Sequence, residues 1–357
     1  MMHYIPGLNM CKVKSIHGAR CYNMKMIMQL VATYFWALGF GINCTYGPVN
    51  MSEQADVLNL TAKIGLANVS GRIDHLAFDS AHDLAFIAAL GNNTIEVVNI
   101  NTKQVVHTIK GLHEPQGVAF IPSMQRLLVA NGDNGDCIFY DTKNYTALTT
   151  IKLKGDADNI RYDAETNLLY VGYGNGAIAI IDATKTKVVN SIPLDGHPES
   201  FQLDKKQNRV YINVPDADEI EVADLSSNAV IAKWKNTNAS SNFPMALDAE
   251  HDHLFIGCRN PATLRMINTF TGKDITSIKC SGDADDVFYY NNLVFVSAGR
   301  GYIDVFQANN NVLKQINHIE TSSGARTSLL LSTEKKFLLA VPERGGNTAA
   351  LWAYKIL

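Results

Sequence analysis

A short apolar strand recurs seven times in this chain at a spacing near forty residues, and that recurrence limits the fold more than any other feature. The copies read Ala85-Phe-Ile-Ala88, Leu127-Leu-Val-Ala130, Leu169-Tyr-Val-Gly172, Val210-Tyr-Ile-Asn213, Leu254-Phe-Ile-Gly257, Val294-Phe-Val-Ser297 and Leu338-Leu-Ala-Val341. Their second residues stand at 86, 128, 170, 211, 255, 295 and 339, so the intervals are 42, 42, 41, 44, 40 and 44. That period, carried by strands, belongs to propeller blades and not to helical solenoids.

The surroundings of this strand repeat with it. Another apolar strand precedes it, as in Gly117-Val-Ala-Phe120 and Asn159-Ile-Arg-Tyr162. A turn rich in Gly and Asn follows, as in Leu90-Gly-Asn-Asn93, Asn131-Gly-Asp-Asn-Gly135 and Tyr173-Gly-Asn-Gly176. Asn-Gly accepts the positive φ of a type I′ hairpin turn, which is what this segment predicts. A third strand comes next (Ile95–Val98, Ile178–Ile181, Ile220–Ala223, Ile303–Phe306) and usually ends in Asn or Asp, as at Asn99, Asp141, Asp182, Asp224 and Asn268. Such residues bond their own backbone and open the next turn. The fourth strand carries Ile109, Ile151, Ile192, Trp234 and Ile278. The expectation is an all-β, seven-bladed β-propeller of four-stranded antiparallel blades. The last copy stops at Leu357 after its third strand, while Leu58–Leu66 resembles a fourth strand. The last blade is therefore expected to be completed by the N-terminal strand, which closes the ring and protects a bare edge.

The first residues have another character. Residues 26–42 carry no charge and follow Lys12, Lys14, Arg20 and Lys25. Basic residues, a short apolar run and then small residues is the order of a secretory signal, with Ala37-Leu-Gly39 as its cleavage pattern. The run is also near the lower limit for a membrane span, so an N-terminal anchor is the alternative. On this reading residues 1–44 form a leader, with Met24 as its start, residues 45–55 a linker and residues 56–357 the propeller. The expected location is outside the cytoplasm, periplasmic or extracellular. Lys and Arg total 31 against 34 Asp and Glu, a net charge of −3. That balance excludes nucleic acid as the expected partner, because phosphate binding needs concentrated positive charge. Of six cysteines, only Cys137, Cys258 and Cys280 lie in the body, and no CxxC pair occurs. Two intervening strand spacings would put Cys258 and Cys280 about 9–10 Å apart at regular positions, beyond disulfide reach without loop bending.

The phrases Leu169-Tyr-Val-Gly-Tyr-Gly-Asn-Gly176, Arg209-Val-Tyr-Ile-Asn213, Ile178-Ala-Ile-Ile-Asp-Ala-Thr-Lys-Thr-Lys-Val188 and Asn268-Thr-Phe-Thr-Gly-Lys273 resemble the YVTN-repeat, YncE-like exported propellers, a WD40-like group. The resemblance spans residues 56–357 and implies a periplasmic or surface protein. It implies no assigned reaction, although related propellers include lactonases and cofactor-carrying oxidoreductases. Blade 6 departs from the pattern, with a short first hairpin (Tyr289-Tyr-Asn-Asn-Leu293) and Gln307 at the strand end.

Function lives in loops placed by such a scaffold. The segments leading into each innermost strand carry Asp74 and His75, Gln116, Asp158 and Asn159, Glu199, Phe243, Asp285 and Asp286, and Arg326 with Thr327. Polar and mostly acidic groups are thus expected to converge on one rim. One reading is a ligand or cation site at the channel mouth, since several carboxylates with amide oxygens suit a hard cation such as Ca²⁺; the residues assign no cofactor beyond that. Clustered carboxylates also raise one another's pKa and can supply a general base. Against this stands turn chemistry, in which Asp residues accept backbone N–H bonds. His75, His113 and His197 lie in the same segments, and Arg326 either takes a ligand carboxylate or neutralises the acidic rim. No G-x-S-x-G, H-E-x-x-H or Walker pattern occurs. With no catalytic residue identified, the first reading is a monomeric binding protein that takes a small molecule, glycan or protein at its rim. The alternative is a lactonase-type hydrolase working in the channel. An oxidoreductase with a bound cofactor is a third reading, which a coloured protein would reveal.

Overall fold

A computed structural model describes residues 56–357; the leader and linker expected over residues 1–55 lie outside the described residues. The described chain forms seven four-stranded antiparallel sheets, and in six of them the strands follow chain order. The innermost strands of the first and third blades are Leu76–Asp79 and Ala157–Asp163. The exception is the seventh blade, in which Leu58–Gly65 pairs with Ala350–Ile356 outside Lys336–Val341 and Ser328–Leu331. The expected closure is present, with Ile64 opposite Leu351.

The blades form because their middle strands are apolar on both faces. Phe86 packs towards Phe120 and Val129 of the second blade, whereas its neighbours Ala85 and Ile87 pack with Leu338 and Leu351 of the seventh. Successive side chains alternate across a strand, so each blade feeds two cores. The buried apolar residues accordingly fall into clusters between neighbouring blades around the ring. Several fourth strands, such as Gln104–Ile109, Ala147–Lys152 and Lys187–Pro193, face solvent and read as exposed until their last residues. The third-to-fourth pairing of each blade is interrupted once, for example at Val97/Val98 in the first blade and Leu60/Ala62 in the seventh. Bulges of this kind add local twist.

The turns differ from expectation in one respect. Between the second and third strands of blade 1 the chain makes a 3₁₀ turn over Leu90–Asn92, and the single left-handed residue is Asn93 (φ 56°). The Asn131–Asp136 connection likewise has one positive φ, at Gly135 (74°). Neither is a two-residue type I′ turn; each loop has four residues between its strands. Consecutive left-handed residues do occur at Asn291-Asn292 and Asn310-Asn311, both in blade 6. The strand-end column behaves as expected: Asn99, Asp141, Asp182, Asp224 and Asn268 each accept a backbone N–H bond from the residue two positions on. Cys137, Cys258 and Cys280 are free thiols.

Candidate functional site

The innermost strands do not begin as regular ladders. Pairing between first and second strands shifts between Pro115 and Val118, Ala157 and Ile160, Asn242 and Met245, and Ala284 and Asp286. The residues spanned by these shifts include Gln116, Asp158, Asn159, Phe243 and Asp285, so the bulges re-aim members of the sequence-predicted column. In blade 1 a bond from the Asp74 N–H to the Ala88 carbonyl, and one from the Ala88 N–H to the His75 carbonyl, hold the equivalent pair. Gly117 is required beside this arrangement, because a Cβ there would lie 1.9 Å from the Asp158 carbonyl oxygen.

Asp74, His75, Asp158, Asn159, Glu199 and Asp285 line one small cavity, together with Arg72, Ser200 and Phe243. Arg72 Nη2 donates to Asp74 Oδ2 at 2.6 Å. His75 Nε2 stands 3.7 Å from Asp74 Oδ1 and 3.5 Å from Asp158 Oδ1. Asp285 is held between two guanidiniums: Arg259 on one oxygen and Arg326 Nε on the other at 2.8 Å. Arg326 also donates to Asp283 at 2.9 Å, so it neutralises the acidic rim. Arg259 lies 3.8 Å above the Phe243 ring and donates to the Ala284 carbonyl. Burial and the neighbouring carboxylates Asp158 and Asp285 push Glu199 up to about 8. Burial raises Asp74 to about 6, with His75 and Arg72 pulling the other way. Burial works against a charged imidazole at His75, yet the Asp158 carboxylate and the charges of Asp74 and Asp286 outweigh it and lift it to about 10. Burial would also raise Asp158, but His75 holds its carboxyl below the ordinary value.

Other members of the column are placed elsewhere. Gln116 donates to Asp156 on the exposed rim. Asp286 accepts the Ser328 N–H at 2.6 Å and faces a second, larger space of about 320 Å³ below. That chamber is lined from every blade, with Arg161, Gln202 and Phe288 among its walls, and His75 and Ser200 border both spaces. Burial raises Asp286 to about 7. His113 is exposed, and His197 meets the Gly174 carbonyl at 2.6 Å, so of the three rim histidines His75 alone reaches the small cavity.

The geometry leaves few free oxygens for Ca²⁺. Ca²⁺ takes six to eight oxygens. Here both Asp285 oxygens and one Asp74 oxygen are engaged by arginines, and an imidazole stands among the remaining donors. The Asp195, Glu219 and Glu221 carboxylates also cluster, but Lys235 lies 2.8 Å from Glu219 and Lys233 pairs with Asp195. Sequence reasoning missed Arg161 and Arg259. The Arg259 signal was present in the repeat: its column holds Leu90, Gly132, Gly174, Pro215, Gly299 and Glu343 in the other blades, so a cation there is unusual.

No family model matches the chain. Among solved structures, a chain in "Crystal Structure of Mitotic Checkpoint Complex" superposes with a TM-score of 0.71 at 13% identity, covering 88% of this chain and 98% of that one. At that identity the likeness shows the WD40-like propeller fold.

Proposed function

We propose that this chain is an exported, YncE-like propeller that acts as a binding protein through its rim and not as an enzyme. The observation that carries this reading is the self-pairing of the rim. Its acidic groups face arginines and His75 of the same chain, and the space between them is about 20 Å³. Such a volume holds about one water, which leaves no room for a lactone beside Glu199. The resemblance of the strand and turn phrases supports the family, and the charged run-in before residues 26–42 supports export. The solved neighbour belongs to a protein assembly, which fits a propeller used as an interaction scaffold. Exposed rim residues such as Asp133, Asp156 and His113 supply the contact surface.

The test pairs activity with binding. A panel of lactones and esters is offered to wild type and to Glu199→Gln. Hydrolysis that disappears in Glu199→Gln would refute the reading. Cross-linking in the exported compartment, with Asp133→Lys/Asp156→Lys as the altered rim, should lose its products. Products unchanged by that double variant would move the contact surface off the rim. N-terminal sequencing of the precursor checks Met24 as the start, and a peptide spanning residues 1–23 would sink that start.

A further inference from the structure

One carboxylate in the rim cavity is left without a partner that satisfies it. Asp158 is 6% exposed, and its Oδ1 makes no hydrogen bond. The group facing it is His75 Nε2 at 3.5 Å, and the same nitrogen is 3.7 Å from Asp74 Oδ1. A single N–H cannot serve two oxygens at those lengths, since a contact near 3.6 Å is no hydrogen bond. Buried carboxylate oxygens are ordinarily satisfied or metal-bound. The Asp74, His75 and Asp158 donor atoms all lie within 4.8 Å of one another. Zn²⁺ bonds of about 2.1 Å in a tetrahedral arrangement put ligand atoms about 3.4 Å apart. The two measured separations are close to that edge and longer than a good hydrogen bond, so the ion pairing of His75 with the two carboxylates leaves Asp158 Oδ1 without a hydrogen bond. Asp74 Oδ2 is occupied by Arg72, which leaves Oδ1 directed at the imidazole and fixes the carboxylate from behind. Metal-ligand carboxylates are held by such outer partners.

We propose that Asp74, His75 and Asp158 bind one divalent transition-metal ion of the Zn²⁺ type. The donor set is two carboxylates and one imidazole, which suits Zn²⁺ and its neighbours and not Ca²⁺. The cavity they share, about 20 Å³, takes one ion or water. Asp74 and His75 belong to the segment entering blade 1, and Asp158 to the innermost strand of blade 3. The ion therefore ties two non-adjacent blades across the mouth of the channel. Its role is to pin the rim, a role separate from the partner-binding reading above.

The test uses the full chain, stripped with EDTA and dialysed. Zn²⁺ titration with a competing chromophore should show one equivalent bound more tightly than about 10 µM. An excess of about 100-fold over the dissociation constant should raise the melting temperature by about 4 °C. Asp158→Asn, which keeps the shape, should weaken Zn²⁺ by about 100-fold or more, as should His75→Gln. Glu219→Gln in the lysine-paired cluster should leave the affinity unchanged. Co²⁺ should give visible d–d absorption in wild type that is absent in Asp158→Asn. The proposal is overturned by weaker wild-type binding, by affinity retained in Asp158→Asn, by loss in Glu219→Gln, or by a Ca²⁺ shift without a Zn²⁺ shift. Should Asp158→Asn fail to fold, the wild-type stoichiometry, the Co²⁺ spectrum and the Zn²⁺ to Ca²⁺ comparison still decide. Rim cross-linking that persists in metal-free protein separates this inference from the binding reading.

Discussion

Replacing Ile64 by alanine tests ring closure with the smallest disturbance. Ile64 is 2% exposed, lies opposite Leu351, and packs with Leu66, Ile87 and Leu338 between the seventh and first blades. The change removes three carbon groups, worth about 2.4 kcal/mol of transfer free energy at about 0.8 kcal/mol each. The cavity left behind brings the expected loss to about 3–4 kcal/mol. With about 2.1 cal/mol/K per residue over about 300 residues, the melting temperature should fall by about 5–6 °C. The control is Val106→Ala on the corresponding outer strand of blade 1. Val106 is 50% exposed, so its loss should stay near 0.5 kcal/mol. Urea unfolding followed by circular dichroism and by tryptophan fluorescence gives both values, and coincident transitions check cooperativity. Removing residues up to 66 altogether should abolish the single transition, because seven residue pairings of the Ala350–Ile356 strand go with it. A loss below about 1 kcal/mol for Ile64→Ala, or unchanged melting of the truncated chain, would refute closure.

His75→Leu should destabilise by about 3–5 kcal/mol in metal-free protein, because it strands the buried Asp158 carboxylate without its cation; denaturant titration checks it, and a loss under about 1 kcal/mol would mean that Asp158 is satisfied in another way. Glu199 near 8 and Asp286 near 7 both sit above their ordinary values, chiefly through burial. The folded state therefore holds protons that the unfolded chain releases above its own carboxylate range. Their contribution to stability is full below about pH 4 and is lost as pH rises towards 8. The Glu199→Gln/Asp286→Asn double variant should flatten that decline between pH 5 and 8 in thermal melts, and an unaltered slope would show that other groups cause it.

The blades, their number, the closing strand and the strand-end turns were legible in the residues. All of these follow from local alternation and a fixed period, which a linear chain displays directly. The column of Asp74, Asp158, Glu199 and Asp285 was legible for the same reason, since a repeat aligns equivalent positions. The sequence could not show which members meet. Gln116 turns to Asp156 from within its bulge, whereas Asp286, where the ladder resumes opposite Ser297, faces the chamber. It could not show that Arg259 and Arg326 come from blades 5 and 7 to close on one carboxylate. Nor could it show that His75 and Asp158, far apart in the chain, stand 3.5 Å apart. Those meetings depend on the curvature of the ring, which is set by packing between blades. The residues alone specified a propeller with an acidic rim; tertiary structure turned that rim into an ion-paired plug around one buried, unsatisfied oxygen.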